Sequence, residues 1–219
     1  MNIHKFAPLV ILALSISLYS CGQTKSKETK TQSPKMETTN AANIDTITLA
    51  GGCYWCIEAI YQRLDGVIAV ESGFTGGAMK QPSYRDVCSG TTGHAECVQV
   101  VYDKTKTNLD EIFKVFFTVH DPTTLNQQGA DAGTQYRSGI FYRSEEQHKA
   151  AQDVIVALTT AHAFPDPIVT EVTPFTVFYK AEDYHQDYYN LHGTQPYCQI
   201  VIRPKVEKFE KVFKDRMKK

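Results

Sequence analysis

The sequence predicts an α+β fold, a two-layer α/β sandwich built on one mixed sheet. Three observations support it. The chain has 219 residues, enough for one domain with appendages. Hydrophobic residues make up 42% of it, which is typical of a folded globular protein. Segments with strand and helix periodicity interleave along the chain, and some strand pairs are close enough to form hairpins.

The overall charge excludes one large class of partner. Lys and Arg total 23 and Asp and Glu total 24, which gives a net charge of −1. Proteins that bind nucleic acid do so largely through an excess of basic residues. We therefore expect no nucleic acid partner.

The first 20 residues predict an export signal. An apolar run of 14 residues, 6–19, follows Lys5 and is shorter than the about 20 residues that a transmembrane helix needs. The run ends in Leu18-Tyr19-Ser20-Cys21-Gly22, which resembles a bacterial lipoprotein signal. That resemblance implies cleavage before Cys21 and lipidation of its thiol, with an ordinary secretory signal as the alternative. We expect an exported protein, anchored by lipid to a bacterial membrane and facing the periplasm or the cell exterior.

Residues 21–43 form a predicted linker. After Cys21 this stretch contains no aromatic residue and no Leu, Ile or Val. Such a segment cannot bury enough apolar surface to offset the entropy lost on ordering. The folded domain is therefore expected to span residues 44–219.

The first half of that domain begins with a strand, a turn and a helix. Residues 45–50 have strand character, Gly51-Gly52 interrupts them, and 53–64 places apolar side chains at helical spacing. Two strands are predicted next, at 67–74 and 94–102. The Gly-, Ser- and Thr-rich segment between them, 75–93, is predicted as a loop, and so long a loop in a compact domain is more often functional than idle.

The second half continues the alternation. Its periodicity predicts helices at 109–120, 145–161, 182–191 and 205–218, and strands at 139–143, 168–173 and 176–179. The last of these helices carries an excess of Lys and Arg, which we interpret as a solvated face.

Redox chemistry is predicted at Gly52-Cys53-Tyr54-Trp55-Cys56. A cysteine after a glycine turn and at a helix start meets free backbone N–H groups and the positive end of the helix dipole, which favour the thiolate. Cys56 lies one helical turn away, close enough for a disulfide with Cys53 after modest adjustment. A zinc site would need a second ligand pair, which Cys88 and Cys97 do not supply because they are nine residues apart.

Two redox classes fit this pair of cysteines. One is a thiol–disulfide oxidoreductase that uses Cys53 and Cys56, and the other is a reductase that acts on an oxidant other than a disulfide. Tyr54 and Trp55 stand between the cysteines, and aromatic rings there suit a soft, uncharged group such as a thioether methyl. A lipoprotein that binds without catalysis is a hypothesis from a different class.

The strand at 94–102 places a carboxyl group on an apolar face. Alternation puts Glu96 on the same face as Val98 and Val100, and Cys97 on the opposite face. A carboxyl among apolar side chains has a raised pKa and can serve as a general acid near neutral pH. The alternative is an edge strand that exposes Glu96 to water.

Six motifs between about Ile47 and Cys198 are similar to those of the peptide methionine sulfoxide reductase A family. They are Gly52–Cys56, Gln81–Gly90, Thr92–Glu96, His120–Thr123, Asp131–Ser138 and Ala181–Gln186. The resemblance implies a mixed, ferredoxin-like sheet with long active-site loops. It also implies reduction of methionine S-sulfoxide, free or in proteins, which is repair of oxidative damage.

The same resemblance implies roles for individual residues. Cys53 corresponds to the nucleophile that attacks the sulfoxide sulfur and becomes a sulfenic acid. Glu96 matches the acid that protonates the sulfoxide oxygen. Tyr84 and Tyr136 match the phenols that hydrogen-bond this oxygen, and Asp131 matches an acidic residue that lines the site.

The pocket for the substrate methyl group matches Tyr54 and Trp55. The family usually has Phe where this chain has Tyr54, and we expect the added hydroxyl to lie at a rim.

The resemblance leaves open how the sulfenic acid is resolved. Many relatives have Gly at position 56 and use cysteines of a glycine-rich tail, one of which follows a Tyr. This chain has Cys56, keeps Tyr197-Cys198 and lacks a second tail cysteine. Cys198 is preferred as the partner of Cys53, with Cys56 as the alternative.

The remaining expectations concern partners and bystander residues. The resemblance implies no cofactor and no metal, and an external reductant such as thioredoxin or dithiothreitol. Oxidised proteins and free methionine sulfoxide are the expected substrates, and the protein is expected to be a monomer. We interpret Cys88 and Cys97 as structural thiols, and His185 with Asp187 as packing residues rather than metal ligands.

Overall fold

The computed structural model describes residues 41–219. The predicted signal segment 1–20, the predicted lipidation site Cys21 and linker residues 22–40 lie outside the described residues. Among the helices of the described part, none is long and apolar enough to cross a membrane.

The described chain alternates strands and helices. The strands are β1 Ile44–Gly51, β2 Val67–Thr75, β3 Ala95–Asp103, β4 Gln127–Gln128, β5 Asp131–Ala132, β6 Ser138–Tyr142, β7 Glu171–Pro174 and β8 Tyr179–Lys180. The helices are α1 Tyr54–Tyr61, α2 Tyr84–Cys88, α3 Leu109–Val119, α4 Glu145–Thr160, α5 Tyr188–His192 and α6 Arg203–Val212. A π-helical stretch, Cys198–Ile202, leads directly into α6.

Six strands form one mixed sheet in the order β7-β6-β1-β3-β2-β8. Strand β1 is antiparallel to both β3 and β6, β2 is antiparallel to β3, and β6 is parallel to β7. The four central strands, with α1 and α3 in the connections, have the split βαβ arrangement of a ferredoxin-like sheet. The predicted fold class is confirmed.

The two faces of the sheet bury different clusters. The main core joins Val98 and Val100 of β3 to residues of α1, α3 and α6. The opposite face carries a smaller cluster that includes Ala95 and Cys97. The alternation predicted for β3 is therefore confirmed, and β3 lies in the middle of the sheet rather than at its edge.

The loop predicted at 75–93 contains a short helix. Ser83 caps α2 by accepting a hydrogen bond from the Asp86 N–H, while the Asp86 side chain accepts from the Ser83 N–H. Helix α2 has only five residues, too few to show a hydrophobic period. The capping box was its signal in the sequence.

The helix predicted at 182–191 is wrong as one element. Residues Asp183–His185 form a 3-10 turn, Asp187 has a φ of 55° and α5 starts only at Tyr188. A left-handed residue interrupts helical hydrogen bonding, so the aromatic spacing of this segment comes from two separate turns.

The ends of other elements also differ from the prediction. Helix α6 starts at Arg203, with Pro204 in its first turn, and ends at Val212 rather than Lys218. Strands β7 and β8 are shorter than the predicted strands and lie nearer the C-terminus. They occupy the two edges of the sheet, where few partners fix their length. The β4–β5 hairpin was not predicted.

Candidate active site

Cys53 lies where β1 turns into α1. Gly52 has a φ of +86°, and a Cβ at this position would lie 2.5 Å from Cγ of Gln128. Only glycine fits both the conformation and the close approach. Cys53 is the N-cap residue of α1 and is buried. The turn therefore presents the sulfur at the helix start, as the sequence predicted.

The protonation of the two cysteines differs from the prediction. Burial raises the pKa of Cys53 well above its ordinary value, and the hydrogen bond to Cys56 adds to the rise. The pKa of Cys56 is lowered, first by that hydrogen bond with Cys53 and then by the nearby Lys205 ammonium. The expectation of a Cys53 thiolate is wrong for this geometry, because burial outweighs the helix start.

Glu96 is buried beside the nucleophile. It is 1% exposed, and one of its oxygens, Oε2, accepts a hydrogen bond from the Tyr54 N–H at 3.2 Å. Burial raises its pKa to about 8, and the negative charge of Asp131 adds to the shift. The edge-strand alternative is wrong. At neutral pH the carboxyl group is mainly protonated and can give up a proton.

Two phenols lie close to the same carboxyl group. Tyr84 begins α2, and its N–H donates to Oε1 of Glu182 at 3.1 Å. Tyr136 ends a 3-10 turn that follows β5. Burial raises the pKa of both phenols, and the charge of Glu96 contributes in each case. Both hydroxyls therefore stay protonated at neutral pH.

Asp131 is held by a residue that sequence reasoning did not assign. The Tyr197 hydroxyl donates to Oδ2 of Asp131 at 2.7 Å. Tyr197 also hydrogen-bonds Cys53, an interaction that lowers the pKa of this thiol. Tyr197 therefore connects the thiol to Asp131. Its signal in the sequence is its position directly before Cys198.

The aromatic residues form one wall of the site. Trp55 stacks on Tyr188, with ring centroids 3.7 Å apart and an interplanar angle of 7°. Tyr54 lies 5.9 Å from Trp55, and His185 lies 5.5 Å from each of them. Tyr54 is only 1% exposed, and its buried hydroxyl has no protein hydrogen-bond partner among the described residues. The expectation that this hydroxyl lies at a rim is wrong, because α1 directs the ring inward.

The other cysteines have distinct surroundings. Cys97 is buried on the face of β3 opposite Glu96, as predicted for a structural thiol. Cys88 is exposed and hydrogen-bonds Tyr84, unlike the buried Cys97. Cys198 is buried, and burial followed by the charge of Cys56 raises its pKa. All the cysteines of the described chain are free thiols.

The interpretation of His185 as a packing residue is confirmed. It is 3% exposed, and its ring packs against the rings of Tyr84 and Tyr184 as well as the aromatic wall. Between residues 41 and 219, no group of three or more His, Cys, Asp or Glu side chains is arranged to hold a metal ion.

These groups together can carry out one kind of chemistry. A thiol, a mainly protonated carboxyl and two phenols lie close enough to shift one another's pKa values, and aromatic rings adjoin them. Such a site can attack a soft electrophilic atom while it protonates and hydrogen-bonds an oxygen on that atom. The structure brings Cys53, Glu96, Tyr84, Tyr136 and Asp131 together, as the sequence predicted.

Comparisons with known proteins agree with this chemistry. The family model described as peptide methionine sulfoxide reductase matches residues 45–217. Peptide methionine sulfoxide reductase MsrA of Saccharolobus solfataricus is 51% identical over 175 residues, which cover 80% of this chain and 98% of the relative. MsrA 1 of Rhodopirellula baltica is 52% identical over 174 residues, which cover 80% of this chain and 90% of the relative.

Solved structures show the same relationship. The crystal structure of reduced Mxr1 from Saccharomyces cerevisiae matches with a TM-score of 0.66 at 34% identity, over 75% of this chain and 94% of that one. Methionine sulfoxide reductase A of Corynebacterium diphtheriae matches with a TM-score of 0.64 at 35% identity, over 70% of this chain and 77% of that one. The chain therefore belongs to the peptide methionine sulfoxide reductase family.

Proposed function

We propose that this protein reduces methionine S-sulfoxide, free or in proteins, to methionine. The observation that carries the proposal is the buried, mainly protonated Glu96 beside the Cys53 thiol. The names of its relatives support the same reaction. The protein is thus an enzyme that repairs oxidised methionine, a lesion formed under oxidative stress.

The first step transfers oxygen from the substrate to Cys53. The Cys53 sulfur attacks the sulfoxide sulfur while Glu96 gives its proton to the sulfoxide oxygen, and the thiol proton restores Glu96. The substrate S–O bond then breaks as the hydroxyl moves to the Cys53 sulfur, and the S–S bond made by the attack breaks with it. Methionine leaves, and Cys53 is left as a sulfenic acid. A thiol and a sulfoxide become a sulfenic acid and a thioether, so two electrons pass to the substrate.

The surrounding residues orient the substrate for this attack. The Tyr84 and Tyr136 hydroxyls donate hydrogen bonds to the sulfoxide oxygen, which strengthen as negative charge develops on it. The rings of Tyr54 and Trp55 hold the methyl group, since aromatic faces attract soft, polarizable groups. Asp131, held by the Tyr197 hydroxyl, adds negative charge near Glu96 and so helps to keep Glu96 protonated.

The contacts favour Cys56 over Cys198 as the resolving cysteine. Cys56 hydrogen-bonds the Cys53 thiol and has a lowered pKa, whereas burial, followed by the charge of Cys56, raises the pKa of Cys198. The Cys56 thiolate attacks the sulfur of the Cys53 sulfenic acid. A disulfide forms, and the hydroxide that leaves takes up a proton to become water.

Peptide mapping after one turnover identifies the resolving residue. We expect wild-type protein, treated with sulfoxide and no reductant, to contain a Cys53–Cys56 disulfide. Cys56→Ser should instead accumulate a sulfenic acid that dimedone traps, whereas the control Cys198→Ser should still form the disulfide. A Cys53–Cys198 disulfide in wild type, with none in Cys198→Ser, would assign resolution to Cys198.

The disulfide needs an external reductant for the next turnover. We propose a thioredoxin-like protein in this role, with dithiothreitol as its substitute in the test tube. Disulfide exchange would then return both thiols: two thiols of the donor become its disulfide as the Cys53 disulfide opens.

We further propose that the enzyme acts outside the cytoplasmic membrane. The apolar run before Cys21 and the lipoprotein-like sequence around Cys21 support export and lipid anchoring. Labelled palmitate should enter the wild-type protein expressed in bacteria, and Cys21→Ser should remain unlabelled. Equal labelling of both would contradict the anchor at Cys21.

An activity assay tests the main proposal and its alternatives. Purified residues 44–219, incubated with methionine S-sulfoxide and dithiothreitol, should yield methionine, while Cys53→Ser should yield none. The R epimer should react far more slowly. Reduction of insulin disulfides without methionine formation would support a thiol–disulfide oxidoreductase. No reaction in either assay would support a protein that binds without catalysis.

A further inference from the structure

A second buried carboxyl group lies on the nucleophile's own helix, and the proposed reaction does not use it. Glu58 belongs to α1, three residues after Trp55, and is 1% exposed. A carboxyl so deeply buried needs hydrogen-bond donors close to it. The identity of those donors indicates what Glu58 does.

Two donors come from the backbone of a distant segment, and the Ser72 side chain contributes more weakly. The Asp187 N–H donates to Oε1 of Glu58 at 3.0 Å, and the Tyr188 N–H also donates to this carboxyl group. Asp187 has a φ of 55°, a left-handed conformation that is unfavourable for a residue with a side chain. Glu58 therefore stabilises a turn that the local sequence does not favour.

That turn ends a segment, residues 181–188, that runs along the aromatic wall. Its Glu182 accepts the Tyr84 N–H, and its His185 ring lies 4.4 Å from the ring of Tyr84. Gln186 both accepts from Ser72 N–H and donates to Ser72 C=O, each at 2.9 Å, which ties the segment to β2. Tyr188 ends the segment, stacked on Trp55.

Glu58 and Trp55 thus meet the segment at the same point. One side chain of α1 binds the N–H of Tyr188, and another stacks on the ring of Tyr188. Since Glu58 and Trp55 are three residues apart on a helix, they lie on one face and act on Tyr188 together.

We propose that Glu58 is a positioning residue: by holding the backbone at Asp187 and Tyr188, it fixes the Tyr188 ring against Trp55 and so sets the shape of the methyl pocket. This inference rests on the proposed function for its kinetic consequence. Its structural part, the order of Trp55, is independent of the reaction.

The chain offers a direct reporter for that order, because Trp55 is its only tryptophan. A ring covered by Tyr188 is shielded, so collisional quenching of its fluorescence by acrylamide should be weak. In Glu58→Ala we expect the quenching constant to rise severalfold. Glu58→Gln, which keeps an uncharged acceptor oxygen, should give an intermediate value. The exposed Glu146→Gln is the matched control and should equal wild type.

Kinetics on the same proteins test the pocket. We expect the KM for methionine S-sulfoxide to rise about tenfold in Glu58→Ala, with kcat changed less than about threefold. Tyr188→Leu should reproduce both effects, and adding Glu58→Ala to it should change little more, because the two act through one contact. If Glu58→Ala does not fold, Glu58→Gln and Tyr188→Leu carry the test.

Quenching constants for folded Glu58→Gln and Glu58→Ala that equal wild type would overturn the inference. A fall in kcat with an unchanged KM in these variants would overturn it as well. Failure of the proposed function is distinguishable, since wild type would then form no methionine while the quenching results still stood.

Discussion

One buried glutamate, Glu58, belongs to helix α1, and another, Glu96, contacts the start of that helix. The two differ in what surrounds them. Glu96 and Glu58 are each 1% exposed, and burial raises the pKa of the first to about 8 and of the second to about 7. Each also accepts backbone N–H donors. Around Glu96, however, lie a thiol and two phenols, whereas Glu58 faces the backbone of residues 187–188.

The comparison shows that a raised pKa does not by itself make an acid catalyst. Burial raises the pKa of both carboxyl groups, so the shift alone does not distinguish them. The neighbours do, because a proton is useful only where a substrate atom can receive it. We therefore assign acid catalysis to Glu96 and positioning to Glu58.

The largest effect should come from removing the proton that Glu96 donates. Glu96→Gln keeps the size and the acceptor for the Tyr54 N–H but has no acidic proton. We expect kcat/KM to fall by about 10³-fold, within the range of general acid catalysis. Steady-state assays with methionine S-sulfoxide measure it, with thermal unfolding as the control for folding. A loss under about tenfold would remove the acid role.

A smaller effect should follow loss of either phenol hydroxyl. Tyr84→Phe and Tyr136→Phe each delete one donor to the sulfoxide oxygen while the ring remains. We expect kcat to fall by about 10²-fold in each, comparable to loss of an oxyanion donor. KM should change little, since the bond strengthens mainly in the transition state. If either variant kept full kcat, that tyrosine would not bind the reacting oxygen.

The smallest effect on activity should come from a change at Tyr54, which contacts both Glu96 and the segment 181–188 that Glu58 holds. Its N–H binds Glu96, and its ring packs on His185 of the 181–188 segment. Tyr54→Phe removes only the buried, unpartnered hydroxyl. We expect kcat/KM within about twofold of wild type and a free energy of unfolding higher by about 1 kcal/mol, measured by urea denaturation. A large loss of activity would instead give the hydroxyl a role in catalysis.

The reacting groups could be predicted from the sequence, but the residues that hold them in place could not. Period-two alternation placed Glu96 among valines, and the short motifs identified Cys53, Tyr84 and Tyr136. These signals are local. The left-handed Asp187, by contrast, is stabilised by Glu58, which lies 129 positions away in the sequence. No periodicity within 182–191 could reveal that break.

The protonation of Cys53 was unpredictable for a similar reason. The helix start is visible in the sequence and favours a thiolate. The burial of the sulfur and its contact with Cys56 depend on tertiary packing, and they raise the pKa instead. Tyr197 also reaches Asp131 only through the fold, across 66 positions of sequence.

Titration of the two carboxyl groups alongside activity tests the central assignment most directly. In protein labelled with ¹³C at glutamate side chains, two carboxyl resonances should titrate with raised pKa values. Each is assigned by its disappearance in Glu96→Gln or in Glu58→Gln. We expect them to titrate near pH 8 and pH 7 respectively.

Glu96 is mainly protonated at neutral pH, and its proton is the one that the sulfoxide oxygen takes up. Activity should therefore be lost as pH rises through the pKa of Glu96. We expect kcat/KM to fall about tenfold per pH unit above pH 8. Glu58→Gln should show the same fall at the same pH. An ordinary pKa of about 4.3 for Glu96, or a basic limb that follows the titration of Glu58 instead, would contradict the assignment.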